Sequence, residues 1–419
     1  MRKTTATFLV AAATAATLGL AGCSAGPQSS SSKNGDNVLT ISGWADDKTA
    51  AALIKKFEGD NPGVKVDYTG LPWPGILTQI NTELVSGTAS DVVVVFPGTG
   101  NAITAQTLAK GKYLADLSSS DWVSNYSDAT KSVMGADGKI LMGANALTLI
   151  PAIYNTQALT AVGASAPKTF SEVLDLCGTA KTQGKVAYAL AAVAGGNYPH
   201  TGYAMYGTLG YASNPDFAAK LAAGDATFSD SKWTTVLDKY DQMVDAGCFT
   251  ADATGTALDI AQGQVAKGEA LGIVTVSPQI STIEKMAPAG TTFETAAFPA
   301  TDDPSETLLT VALGAGYGVN AKSKNIDLAK KFVNLYMSDE GRKTALENSS
   351  IYPSAPVEGW TPPASLAGVA EQAGSDRTAP IQYMEAPVDK AYLDGMQTFI
   401  GGRSSAADLL KQMDAAQKG

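Results

Sequence analysis

The sequence predicts an α/β fold organised on parallel strands. Two observations carry that expectation: strand-like and helix-like hydrophobic periods alternate after the first 37 positions, and the third strand candidate is a continuous apolar run. "NVLTIS" alternates as a strand. "GWADDKTAAALIKKFEGDNPG" then sets Ala50, Leu53, Ile54 and Phe57 on one helical face and stops at Asn61-Pro62-Gly63. "VKVDY" alternates again, Leu77, Ile80 and Leu84 mark a second helix, and "DVVVVF" reads as a strand buried on both faces. Strand-helix-strand-helix-strand in this order implies parallel pairing with helices covering the sheet. Ligands bind such sheets beyond the carboxyl ends of the strands, which here are "GWADD", "TGLPWPG" and "FPGTGN".

The same logic returns later. "LGIVTVS" and "GAGYGVNA" are strand candidates, and "NIDLAKKFVNLYMS" is a helix with Ala329, Phe332, Val333 and Tyr336 on one side. The Pro-rich "YPSAPVEGWTPPAS" interrupts the pattern before a helical tail ending "AADLLKQMDAAQKG". The chain is long enough for two domains of ordinary size, each with its own core.

The N-terminal segment is of another kind. Arg2 and Lys3 precede an apolar and small-residue run from about Phe8 to Gly22, too short to span a bilayer comfortably and expected of a secretion signal over residues 1–22. Leu20-Ala21-Gly22-Cys23 resembles the lipobox of bacterial lipoproteins, in which the cysteine is acylated and becomes the new N-terminus. Residues 24–37 carry five Ser with Gly, Pro, Asn and Asp, a composition that cannot offset its own ordering entropy and acts as a flexible linker. Cys23 is thus the expected lipid anchor, and the membrane is reached through that lipid alone.

Composition excludes several classes. Asp and Glu number 40 against 30 Lys and Arg, a formal charge of −10, and the basic residues are scattered, so a phosphate-binding face for nucleic acid is not expected. With a single histidine, His200, and three cysteines there are too few soft ligands for a catalytic metal centre. No G-x-S-x-G elbow and no G-x-x-x-x-G-K-[ST] loop occurs. Paired carboxylates, as in glycosidases, stay open as an alternative because acidic residues are plentiful.

Cys177 lies in "KTFSEVLDLCGTA", where Thr169 and Glu172 form a capping-box pattern and Val173, Leu176, Cys177 and Ala180 share a face. Cys248 ends a stretch in which Trp233, Val236, Leu237, Tyr240, Met243 and Val244 recur at helical spacing. Two packed helices could bring these sulfurs together. Outside the membrane a Cys177–Cys248 disulfide is expected, with two buried thiols as the alternative.

Taken in order, "NVLTISGWADD", "FEGDNPGVKVDY", "LVSGTASDVVVV", "DGKILMGA", "IYNTQAL", "PKTFSEVLDLC", "AKGEALGI" and "GYGVNAKSKNIDLAKKFVNLYMSDEG" resemble the extracellular solute-binding proteins of carbohydrate ABC importers, the type that includes maltose-binding protein. The resemblance covers essentially the whole chain after the linker. It implies a type II periplasmic-binding-protein-like fold, two hinge-connected α/β lobes with a ligand cleft between them. Chain crossings are then expected near 146–151, 310–314 and 352–356. One lobe is 38–147 with 313–352, and the other is 148–312 with 353–419. It further implies a binding protein rather than an enzyme, without cofactor or metal, working as a monomer with the permease subunits of an ABC importer. Its ligand would be a di- or oligosaccharide. A polyamine or peptide ligand is the alternative on the same fold.

Sugars present C–H faces and hydroxyl rims, so their sites combine aromatic platforms with polar side chains. Trp44, Asp46 and Asp47 follow the first strand, where the family commonly places polar contacts; either carboxylate could instead cap the helix that begins there. Trp73 sits between two prolines after the second strand, and Phe96 precedes Gly98 and Gly100 after the third. Asn145 precedes the first crossing. Asn197, Tyr198 and His200 lie in "GGNYPHTGY", in the segment where an aromatic sugar contact is implied. Tyr317 stands among glycines, and Tyr383 and Glu385 lie near the family's C-terminal aromatic contact. Where the family usually shows a Gly-Ser-Trp type sequence, this chain has Val276-Ser277-Pro278, so one stacking platform is missing.

Overall fold

The computed structural model describes residues 37–73, 75–348 and 351–418. The signal segment, Cys23 and the linker to residue 36 lie outside the described residues.

The first part of the chain supplies β1 (Val38–Trp44), β2 (Lys65–Leu71), β3 (Val92–Val95) and a small hairpin of β4 (Gly135–Ala136) and β5 (Lys139–Ile140). Next come β6 (Ala146–Ile150), β7 (Ala152–Asn155), β8 (Val186–Tyr188), β9 (Ala270–Val274) and β10 (Phe293–Ala296). The last four are β11 (Leu309–Leu313), β12 (Gly316–Val319), β13 (Tyr352–Pro353) and β14 (Thr378–Pro380). Apart from the hairpin they form three four-stranded sheets, ordered β12-β3-β1-β2, β10-β7-β9-β8 and β13-β6-β11-β14.

In the first sheet β1 pairs parallel with both β2 and β3, as the strand-helix alternation requires. All four residues of β3 are buried, which follows from its place inside the sheet with helices on both faces. The helix between β1 and β2, α1 (Lys48–Asp60), buries Ala50, Leu53 and Phe57 and is capped at its start by Asp47. The next, α2 (Gly75–Ser86), turns Ile76, Ile80 and Leu84 inward, with Leu77 at the edge of that face. "GYGV" joins this sheet as β12, antiparallel to β3. Asp91, buried at the start of β3, accepts from Thr40 N–H and Thr40 Oγ1 at 2.9 Å and from Ser323 Oγ at 2.6 Å, tying β1, β3 and the turn after β12 to one carboxylate.

The second sheet is mixed, because β7 runs antiparallel to both β10 and β9 while β8 and β9 are parallel. Its two faces feed two clusters. Tyr154, Tyr188 and Phe298 pack with Trp233, Tyr240 and Tyr392 on one side, and Ile153 and Ile273 pack with Ile280, Ile283 and Val369 on the other. A separate core joins Leu39, Ile41, β3 and Phe57 to Phe332 and Met337. The third sheet contains the segments that carry the chain between these cores: β6 leads through Pro151 into β7, and β11 leads into β12.

Helix Phe170–Thr182 starts at Thr169, whose hydroxyl accepts from Glu172 N–H at 3.2 Å. Glu172 reaches back one residue beyond the cap, accepting from Lys168 N–H at 2.7 Å. Helix Trp233–Asp245 buries Trp233, Val236, Leu237, Tyr240 and Met243. Cys177, on the buried face of the first helix, and Cys248, three residues past the end of the second, are joined in a disulfide. It closes a separation of 71 residues, so replacing both cysteines by serine is expected to lower the unfolding free energy by about 2–4 kcal/mol. Denaturant titration under non-reducing conditions measures this, and an unchanged midpoint would show that the bridge adds nothing.

Candidate functional site

Parallel pairing aligns Trp44 with Leu71 across β1 and β2, and β3 lies on the other side of β1. Three chain reversals therefore leave the sheet at one edge, and each has an aromatic ring at its start: Trp44 as the last residue of β1, and Trp73 and Phe96 just past β2 and β3. Trp44 and Trp73 lie 6.3 Å apart between ring centroids, Trp44 and Phe96 5.8 Å, and Trp73 and Phe96 6.2 Å. The three rings are mutually tilted or edge-on, giving a faceted apolar surface. Trp73 is 49% exposed, and the other two are partly buried.

Two of the rings, Trp44 and Phe96, are held through their backbone. Tyr68 Oη donates to the carbonyl of Trp44 at 2.7 Å, which fixes the end of β1. Phe96 exchanges backbone hydrogen bonds with the turn ahead, donating to Ile103 at 3.0 Å and accepting from Ala105 at 2.8 Å. Beyond Phe96 the loop passes through Gly98 with φ 69°, a left-handed conformation that suits glycine. A β-carbon there would fall 2.6 Å from the Tyr383 ring.

The two carboxylates after β1 divide their work. Asp47 caps α1, accepting from Ala50 N–H at 2.9 Å, and burial raises its pKa against the pull of the helix N–H groups. Asp46 is exposed, with φ 58°, in the left-handed region that Asp tolerates better than most residues.

Facing the rings are residues far along the chain. A β-carbon at Gly195 would stand 3.0 Å from Trp73 Nε1, so the loop after β8 touches the exposed Trp. Thr99 Oγ1 donates to the Met384 carbonyl at 2.8 Å, and Lys110 pairs with the exposed Glu385 at 3.8 Å. Tyr383 and Glu385 are thus brought against the loop that carries Phe96.

Other candidates are placed differently. Asn197 is 1% exposed: its Oδ1 accepts from Ala191 N–H at 2.8 Å, and its Nδ2 donates to the carbonyls of Ala189 and Val274. That side chain is committed to shaping the loop around it. Tyr198 is buried in the aromatic core, where burial raises its phenol to about 12. His200 lies 3.4 Å from Thr275 Oγ1, and desolvation pushes the imidazole down to about 4, which keeps it neutral. Asn145 is buried and donates to the Tyr336 carbonyl at 3.3 Å. Tyr317 is 3% exposed, packed edge-on against Phe332 and Tyr336 in the core.

Four residues at this edge escaped the sequence reading. Gly195 and Thr99 gave no signal, since their contacts arise only when distant segments meet. Tyr68 shares the inward face of β2 with Val66, and a hydroxyl on that face was the available clue. Asp389 sits in the first turn of helix Ala386–Ile400, accepting from Tyr203 Oη at 3.3 Å, with its Cγ 3.8 Å from where a β-carbon on Gly100 would be.

Among the described residues no group of three His, Cys, Asp or Glu side chains is gathered as a metal site would need, and no helix is long and apolar enough to cross a membrane. A cavity of about 600 Å³ lies elsewhere, lined by Lys343, Leu346, Glu347, Val357 and Trp360 among others. The ring cluster is the better candidate because it combines apolar faces with the strand-end position where α/β sheets bind ligands.

This arrangement is that of a two-lobe α/β binding protein of the periplasmic type. The chain belongs to the bacterial extracellular solute-binding protein family, which matches residues 42–343. The multiple sugar-binding protein of Streptococcus mutans is 24% identical over 372 residues, spanning 86% of this chain and 81% of that protein. A chitin oligosaccharide binding protein has a similar structure, with a TM-score of 0.76 and 19% identity over 91% of this chain and 98% of its own. The GacH receptor of Streptomyces glaucescens, solved unliganded and in complex with acarbose, gives 0.74 at 18% identity over 90% and 97%.

Burial raises the Asp389 carboxyl to about 6. An acid whose pKa is higher in the folded chain than in the unfolded one favours folding fully below about pH 4, and that contribution is lost as pH rises through about 6. His200, depressed by burial, has the opposite slope over the same range. Asp389→Asn is therefore expected to steepen the rise of stability between pH 4 and 6.5, because the slope that opposed the histidine is removed. Thermal unfolding of both proteins across that range checks this; parallel curves would place the Asp389 titration elsewhere.

Proposed function

We propose that this protein is a lipid-anchored receptor that captures a di- or oligosaccharide in a cleft between two lobes and delivers it to the permease subunits of an ABC importer. The observation that carries the reading is the convergence of Trp44, Trp73 and Phe96 at the carboxyl edge of the first sheet. Flat apolar faces stack on the C–H faces of sugar rings, while Asp46 and the groups of the facing loops supply partners for hydroxyls. The family membership and a multiple sugar-binding relative support the same class.

The lobes proposed are 38–147 with 313–352 and 148–312 with 353–419. Separate hydrophobic cores support this division, one around β1 and β3 and one around Trp233 and Tyr392. The contacts of Trp73 with Gly195, Tyr383 with Gly98, and Thr99 with Met384 would then join the lobes. A ligand touching both sides favours the closed arrangement by its differential contacts, and the permease reads that closure.

Calorimetric titration of the soluble form beginning at Ser24 with a panel of di- and oligosaccharides tests the reading. One or a few sugars are expected to bind and to be recovered unchanged, and Trp73→Ala is expected to weaken binding about 10-fold or more. Silence across the panel, with heat released by a polyamine or a peptide, would move the ligand to another class. A shortened glycan in the recovered sample would make the protein an enzyme. For the anchor, Cys23→Ser is expected to release the protein from the membrane fraction of the producing bacterium. If it stays membrane-bound, the lipid reading fails.

A further inference from the structure

We infer that Tyr68, a residue outside the ring cluster, is a positioning residue for ligand binding, holding Trp44 in register with Trp73 and Phe96 through its hydroxyl. The inference rests on the proposed saccharide site. Tyr68 lies on β2 and reaches across to β1, where Oη donates to the Trp44 carbonyl at 2.7 Å. That carbonyl belongs to the last residue of β1, beyond which the chain leaves the sheet through Ala45 and the left-handed Asp46. Backbone bonding to β2 makes its last contact there, from Ala45 N–H to the Leu71 carbonyl at 3.0 Å, and the Tyr68 hydroxyl adds a side-chain bond to the neighbouring Trp44 carbonyl where the chain leaves the sheet.

Room for this bond is made by a missing side chain. A β-carbon on Gly43 would stand 2.4 Å from Tyr68 Oη and 2.8 Å from Tyr317 Oη, distances that no real β-carbon tolerates. Two phenol hydroxyls therefore converge over Gly43, and Tyr317, 3% exposed, walls the hydroxyl of Tyr68 from the opposite strand β12. Burial first and the Asp47 carboxylate second raise the Tyr68 phenol far above neutral pH, so it stays a hydrogen-bond donor. The indole of Trp44 contacts both other rings, and a shift of its backbone moves the whole surface that a sugar would meet.

The test is a double-mutant cycle read by calorimetry with the tightest saccharide of the panel. Tyr68→Phe removes one neutral hydrogen bond and no packing, and Kd is expected to rise about 3- to 10-fold, with Gly43→Ala giving a rise at least as large by displacing the same hydroxyl. In a Trp44→Ala background Tyr68→Phe is expected to add little, since the residue it positions is gone. An unchanged Kd in Tyr68→Phe, or the same rise with and without Trp44, would overturn the inference. If no saccharide binds the unmutated protein, the functional reading fails on its own. Positioning is then read from near-ultraviolet circular dichroism, where Tyr68→Phe is expected to weaken the coupled Trp44–Trp73 signal and an identical spectrum would refute it.

Discussion

Parallel pairing of β1 with β2 and β3 is the constraint from which the rest follows. Parallel strands all end at one edge, so the segments after them must reverse side by side, and whatever residues begin those segments become neighbours. The buried β3 makes the arrangement obligatory: four consecutive valines cannot face water and have to lie inside the sheet. Asp91 then clamps the opposite edge, where its carboxylate gathers the donors of Thr40 and Ser323. Rigid at that end, the sheet can leave the other to irregular loops.

Those loops carry aromatic rings in positions that a soluble core would not choose. Trp73 stays half exposed although two aromatic neighbours stand within 6.3 Å. The backbone beneath it is unusually well fixed, by the Tyr68 bond to Trp44 on one side and by the Phe96 exchange with the following turn on the other. Side chains on a fixed backbone lose little entropy when a contact forms.

The remainder of the molecule is stabilised differently. Trp233 is fully buried, stacked on Tyr206 at 4.6 Å and edge-on to Tyr392, and its indole N–H donates to Gln382 Oε1 at 2.8 Å. Gln382 directly precedes Tyr383, so the aromatic core is bonded to the segment that covers Gly98. The disulfide holds the neighbouring helix pair in the same core. Packing on this side therefore sets where Tyr383 and Asp389 stand relative to the loop of Phe96.

The sequence by itself determined the elements whose periodicity is local: α1 with Ala50, Leu53 and Phe57, the buried β3, the helix that carries Cys177 and the helix that runs up to Cys248. It also determined that aromatic residues stand at or just past the ends of three strands, because strand ends and chain reversals leave compositional marks. Long-range contacts leave no such marks. That β12 would return beside β3, that Asn197 and Tyr198 would turn inward, and that Tyr68, Thr99, Gly195 and Asp389 would meet the ring cluster was decided only by the tertiary structure. The physical reason is that a polar or aromatic side chain takes its role from whichever surface the fold carries against it, and that surface lies far away in the chain.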